Sequence, residues 1–253
     1  MLLIRHGRMA VARMLLPELS TIHEQFLALS RIAREQFSDS LAGKLLLRSQ
    51  LDAEGTAAVV AASIAGAASL CVDADADRLR EGLRAGFVDF VIGALDEALR
   101  ILKNEIRRAR AVSVGLTTAP GPGIDAMIER GLQPDLLSAI PQHQADVFLE
   151  RGAASPPLPS SSEPGTSILE WLAVEEPART MPRVAELASA SLDPALADTP
   201  ARLRWLAQSP RYLGRSFARQ QCLRMTAGEI AVFTPQIHDA YSSVKITRDG
   251  EVL

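Results

Sequence analysis

Two hydrophobic periods alternate along the first half of the chain. In "TIHEQFLALSRIAREQF" the apolar Ile22, Phe26, Leu29 and Phe37 recur at about helical spacing and predict an amphipathic helix. The aliphatic run "GKLLLRS" after Gly43 predicts a buried strand, and "DAEGTAAVVAASIAGAAS" a loop followed by a small-residue helix able to pack closely on a sheet. "LCVDAD" predicts a second strand ending in carboxylates, "ADRLREGLRAG" a charged helix, and "FVDFVI" a third strand. "LDEALRILKNEIRRARA" places Leu95, Ala98, Leu99, Leu102 and Ile106 on one helical face. "AVSVGL" predicts a fourth strand, and "IDAMIERGLQPDLLS" a helix, a glycine stop and a further strand. Strand alternating with helix in this way implies a parallel sheet with right-handed crossovers.

The pattern changes at Pro141. "RGAASPPLPSSSEPGTS" is rich in Pro, Ser and Gly and predicts a linker or loop. Beyond it, "SILEWLAVEE" and "RVAELASASL" predict helices, "ARLRWLAQ" is a short apolar-basic run, and "EIAVFTPQIHDAYSSVKI" reads as irregular strand and loop. The chain therefore divides into an N-terminal helical segment (1–40), a parallel-sheet domain (41–140), a Pro/Ser-rich linker (141–168) and a mainly helical C-terminal region (169–253).

Composition narrows the function classes. Aromatic residues are only 4% of the chain, so the core is built from Leu, Ala, Val and Ile. A formal net charge of −3 provides no electrostatic footprint for nucleic acid. Cys71 and Cys222 lie far apart without CxxC or zinc spacing, and read as buried thiols of a reducing compartment; no metal site is expected. The alanine-rich runs are too short for a membrane span, and Arg5, Arg8 and Arg13 interrupt any secretory apolar stretch, so the expected location is the cytoplasm.

Candidate chemistry is sparse. The opening "MLLIRHGR", an apolar run into Arg5 and His6, has the form of a histidine-phosphatase nucleophile loop. That mechanism needs a second His, further cations and a leaving-group acid. The other histidines, His23, His143 and His238, stand in no comparable loop, so residues 1–13 read as a basic terminal segment. The first strand, loop and helix match a dinucleotide-binding βαβ unit better, because an acid, Asp73, ends the second strand at about the ribose-binding distance. The glycines of such a loop are mostly missing. Gly55 stands alone between Asp52, Glu54 and Thr56, and two carboxylates beside a pyrophosphate repel it by about 1 kcal/mol or more each. Trp171 and Trp205 read as packing anchors.

The stretch "FSDSLAGKLLLRSQLDAEGTAAVVAASIAGAASLCVDADADRL" resembles the start of the NAD-binding domain of the urocanase (urocanate hydratase) family. It lies along that family's strand, Gly-rich loop, "AQPLAATMAGA"-type helix and acidic second strand without a gap. The likeness continues through "GFVDFVIGALDEALRILK", "AVSVGL" and "IERGLQPDLLS", and returns at "TPARLRWLAQSPR" and "AGEIAVF", similar to the family's "LPARICWLGYGER … GEL" region. The resemblance implies a Rossmann-like parallel-sheet domain of urocanase type, set in a core drawn from both ends of the chain. It also implies an active site between the two, where tightly held NAD+ acts as an electrophile on the substrate's imidazole. Carried over residue by residue, it points to Gly55 in the loop, Asp73 as the ribose acid, and Asp75 and Arg78 beside it. The departures are as informative. Most of the N-terminal half of the family's core is absent, and its glycine loop reads Gln50-Leu51-Asp52-Ala53-Glu54-Gly55-Thr56. Its Gly-Asn-Ala turn becomes Thr118-Ala119-Pro120, its cofactor-edge run becomes "SAIPQHQAD", and its Arg-Asp-His-Leu-Asp run survives at best as Gln236-Ile237-His238-Asp239.

Two expectations follow. The first is a shortened urocanase-like protein without hydratase activity and without bound NAD, acting as a binding or accessory protein, in a homodimer or with a partner subunit, with room for a small molecule at the sheet's carboxyl edge. The second is an active hydro-lyase on a small unsaturated or imidazole-bearing acid, using NAD+, with His238 and Asp239 as an acid/base pair and His143 and Arg211 as further candidates.

Overall fold

The computed structural model describes residues 16–156 and 164–253; the His6 stretch lies outside them. The first amphipathic pattern is helix α1 (Leu19–Gln36), whose Ile22, Phe26 and Leu29 are buried while Phe37, just past its end, is half-buried. Strand β1 (Leu45–Ser49) is buried along its whole length. It leads into α2 (Ala53–Ala65), β2 (Ala68–Asp73), α3 (Ala76–Ala85), β3 (Phe90–Ile92), α4 (Leu95–Arg107), β4 (Ser113–Thr117), α5 (Pro120–Glu129) and β5 (Leu136–Ser138). All five strands run parallel, in the order β3-β4-β2-β1-β5. Leu46 of β1 stands between Ser69 of β2 and Leu136 of β5. This is the predicted α/β Rossmann-like sheet. The small side chains of α2 let it lie between the sheet and α1, so ten of its residues are buried and the expected close-packing helix is covered within the chain itself.

The stretch expected to be linker begins as structure. Residues Gln142–Glu150 form helix α6, which drives Phe148, fully buried, into the core beside Leu137. The chain then adds one more parallel bridge to the sheet, Leu136 to Ala154. Pro141 starts this helix from outside rather than breaking one, a position where its missing N–H costs nothing.

The second region is built on a sheet that the periodicity did not disclose. "SILEWLAVEE", expected as helix, is strand β6 (Thr166–Ala173), with Leu169, Trp171 and Ala173 buried at alternate positions. Strands on both sides override its helix-compatible composition, β7 (Gln220–Thr226) pairing along one edge and β8 (Val244–Arg248) along the other, both antiparallel. A short β9 (Glu251–Val252) completes the order β7-β6-β8-β9. Helices α7 (Pro177–Ala190), as the "RVAELASASL" pattern predicts, and α8 (Thr199–Tyr212), formed by the run read only as apolar-basic, follow β6. The segment read as irregular forms α9 (Ala227–Ala240), closed at its start by a capping box between Thr226 and Glu229. Pro235 inside this helix obscured a buried face of Ile230, Phe233 and Ile237.

The two ends of the chain meet, as the resemblance implies. Leu19, Ile22 and Phe26 of α1 share one core with Ala57 and Ala58 of α2 and with Trp205 and Leu223 of the C-terminal region. Both tryptophans are packing anchors: Trp205 lies against His23 and Phe26, and Trp171 against Phe233. Among the described residues no helix is long and apolar enough to cross a membrane.

Candidate functional site at the carboxyl edge of the parallel sheet

In an open parallel sheet, ligands enter the crevice outside the carboxyl ends of the strands, where successive connections leave in opposite directions. Here that point is between β1 and β5. The family-type loop leaves β1 with Gln50 in the left-handed region (φ 66°), the geometry a glycine would supply. Asp52 then caps α2, its Oδ1 accepting from the Gly55 N–H at 2.7 Å.

Arg48, a cation inside an otherwise apolar strand, organises this edge. Its guanidinium donates to Ser138 Oγ at the end of β5 (2.9 Å) and to Asp52 Oδ1 (3.2 Å). Ser49 Oγ donates to the Ala139 carbonyl, a second link from β1 to β5. The mouth of the crevice is therefore bridged by the protein's own side chains. Sequence reading passed over Arg48 and Ser138; the signal available for Arg48 was a charge within "LLLRS".

The predicted residues divide into two groups. Asp73, Asp75 and Arg78 do come together, while Gly55 lies against Gln50, Arg48 and Asp52. Asp73 is buried, and its Oδ2 accepts from the Leu51 N–H (2.8 Å) and Arg78 Nη1 (3.1 Å), while Oδ1 accepts from the Asp75 N–H (2.9 Å). Asp75 caps α3 through the Asp77 and Arg78 N–H groups and pairs with Arg78 Nη2 at 3.4 Å. Three carboxylates thus face two guanidinium groups across the loop. Gly55 has an internal reason to be glycine, since a Cβ there would stand 2.2 Å from the Gln50 carbonyl oxygen. Gly55→Ala is expected to cost about 2–3 kcal/mol, because backbone must move to relieve the overlap; urea denaturation measures it, and a loss under half a kcal/mol would contradict this packing.

His238, Asp239, Arg211 and His143 are not assembled. His238 and Asp239 are exposed in the last turn of α9, His143 is exposed in the first turn of α6, and Arg211 lies exposed at the end of α8 with its guanidinium 5.3 Å from the Tyr212 ring centre. Cys71, in β2 below the edge, is buried, and burial together with the neighbouring Asp73 charge pushes its thiol well above the usual range, so it stays protonated. No cluster of three or more metal-ligating side chains occurs among the described residues.

Residues 21–145, about half of the chain, match the family model of the urocanase Rossmann-like domain. The chain carries a urocanase Rossmann-like domain. The match runs from the start of α1 to within α6, so α1 and the beginning of α6 fall inside the urocanase-like unit.

Proposed function

We propose that this urocanase-like protein keeps the Rossmann-like scaffold as a binding or accessory protein, as a homodimer or with a partner subunit, and does not hydrate urocanate with NAD+. The observation that carries the reading is Asp52. Its carboxylate occupies the N-terminus of α2, the place where a dinucleotide pyrophosphate would collect backbone N–H groups and the helix dipole. Displacing it would also take away the carboxylate that Arg48 Nη2 donates to, beside the Nη1 bond to Ser138 at the end of β5. Asp73 supports the same reading, since each of its oxygens already accepts from the chain and Oδ2 is additionally paired with Arg78. Gly55 holds its own loop's carbonyl at a distance where a family glycine would admit phosphate. The residues of this edge do not fit the cofactor, and no catalytic step is assigned to it.

The test uses the full chain purified without added cofactor. After denaturation, chromatography of the supernatant is expected to find no stoichiometric NAD, and millimolar NAD is expected to leave the melting temperature unchanged within about 1 °C. A ligand present at a hundred times its Kd stabilises by about 2.7 kcal/mol, which for a chain of this size is roughly 5–10 °C. Stoichiometric NAD, or a shift of that size, overturns the proposal.

A further inference from the structure

We infer that the open edge of β3, together with a stripe of cations on α4, is a docking surface for an extended acidic segment of a partner protein. β3 is the last strand of the parallel sheet and pairs only with β4, so its other side meets no strand. Among the described residues no backbone hydrogen bond outside the β3–β4 ladder reaches Phe90, Val91 or Ile92. The opposite end of the sheet is treated differently, since the bridge from Leu136 to Ala154 closes β5. An uncovered edge is a template for one more strand.

Beside this edge lies an open groove of about 940 Å³. Asp89 and Phe90 wall it at the start of β3, and Arg100, Ile101, Lys103 and Arg107 wall it from α4. It opens toward the amino-terminal side of the sheet, the end opposite Asp52 and Asp73. Phe90 is 44% exposed there, a large apolar ring on an unpaired strand. Arg100, Lys103 and Arg107 are spaced to share one helical stripe, where like charges repel. None of the three makes an ion pair or hydrogen bond through its side chain among the described residues.

With Arg108 and Arg110, residues 100–110 carry five cations in a chain whose net charge is −3. The carboxylates nearby are Glu97, a turn before Arg100, and Asp89 and Glu105 in the groove itself. Asp89 Oδ2 accepts from the Ser113 N–H (2.8 Å) and Oγ (3.0 Å), and Glu105 accepts from Asn104 (3.0 Å) and lies 3.8 Å from Arg108. Five cations against three carboxylates leave the groove positive, and the C-terminal carbonyls of α4 offset this only in part. Two copies of this chain meeting edge to edge at β3 would set two cation stripes against each other, so the charge selects a foreign, acidic strand. The main chain of that strand would take up the free edge of β3, its carboxylates would meet Arg100, Lys103 and Arg107, and an apolar side chain would cover Phe90. The surface deepens the accessory-protein reading and rests on it, but its assay is separate from the NAD assay, so either can fail alone.

The experiment is fluorescence anisotropy of the full chain with a labelled hexapeptide alternating glutamate and valine. Saturable binding is expected, weakening steeply as sodium chloride is raised. The double variant Arg100→Glu, Lys103→Glu should weaken it at least tenfold and Phe90→Ser at least threefold, both with unchanged far-UV circular dichroism. The same peptide N-methylated throughout keeps its charge but has no strand donors, and should not bind; nor should the peptide with lysine in place of glutamate. No binding of the acidic peptide, equal binding of either control, unchanged affinity in the double variant, or tighter binding of a uridine hexanucleotide than of the acidic peptide would overturn the proposal.

Discussion

Arg202→Ala is expected to lower the unfolding free energy by about 3–5 kcal/mol, because it strands a buried carboxylate. Arg202 and Glu229 meet at 2.7 Å with side chains only 2% and 3% exposed. Arg202 also donates to the Arg224 carbonyl at 3.2 Å, tying α8 to β7. Burial raises the Glu229 carboxyl, but bonds from Arg202, the Thr226 N–H and the Asp193 N–H, with the Arg202 charge, outweigh it and hold its pKa below the usual range. Without Arg202 those two backbone donors alone oppose desolvation. A combined Arg202→Met, Glu229→Gln chain removes both charges while keeping volume and one acceptor, and should lose clearly less than Arg202→Ala alone. Urea denaturation of the three proteins decides it. A cost below about 1 kcal/mol for Arg202→Ala would mean that water reaches Glu229 and the pair is not buried.

Stability should also fall as the pH drops below about 6.5, because His23 must remain neutral in the fold. His23 is fully buried against Trp205, its Nε2 accepting from the Arg224 N–H at 3.0 Å. Burial, then the charges of Arg224 and Arg202, lower its pKa from 6.5 to about 3. A depressed folded pKa on a base means the unfolded chain binds the extra proton between those values. The contribution is therefore complete above pH 6.5 and is lost progressively down to about pH 3, at up to about 1.4 kcal/mol per pH unit. Between pH 7.5 and 4.5 the loss from this group is about 2–3 kcal/mol. His23→Gln keeps an acceptor near the Arg224 N–H without a titrating ring, so its stability should be flatter across that window. Glu229 adds a loss only lower, as pH falls through the carboxylate range, since its folded pKa is depressed. Glu24 and Glu170 shift upward, chiefly by burial, and act in the opposite direction. Comparing wild type with His23→Gln at each pH isolates the histidine, and parallel pH curves for the two proteins would sink this account.

Both predictions concern the seam where the chain's ends join, and neither residue carried a signal that spacing could show. His23 sits within a regular helical pattern, and Arg202 within an apolar-basic run. Their importance comes from partners some two hundred residues away for His23 and 27 away for Arg202. The carboxyl edge was more legible. Asp73, Asp75 and Arg78 lie close in the chain and pair locally, but the bridge from Arg48 to Ser138 spans 90 residues and exists only because β5 returns to lie beside β1.

The sequence by itself determined the parallel sheet, since each strand there is a short apolar run and the helices between them are local patterns of apolar and small residues. It also determined that the family's glycine loop has become acidic. Only the tertiary structure decided that Asp52 turns inward to cap α2, that "SILEWLAVEE" is a strand, and that β3 ends the sheet beside an open groove. Period and composition are properties of neighbouring residues. A β-ladder, a buried ion pair and a cavity are made between segments distant in the chain, and their energies appear only when packing brings those segments into contact.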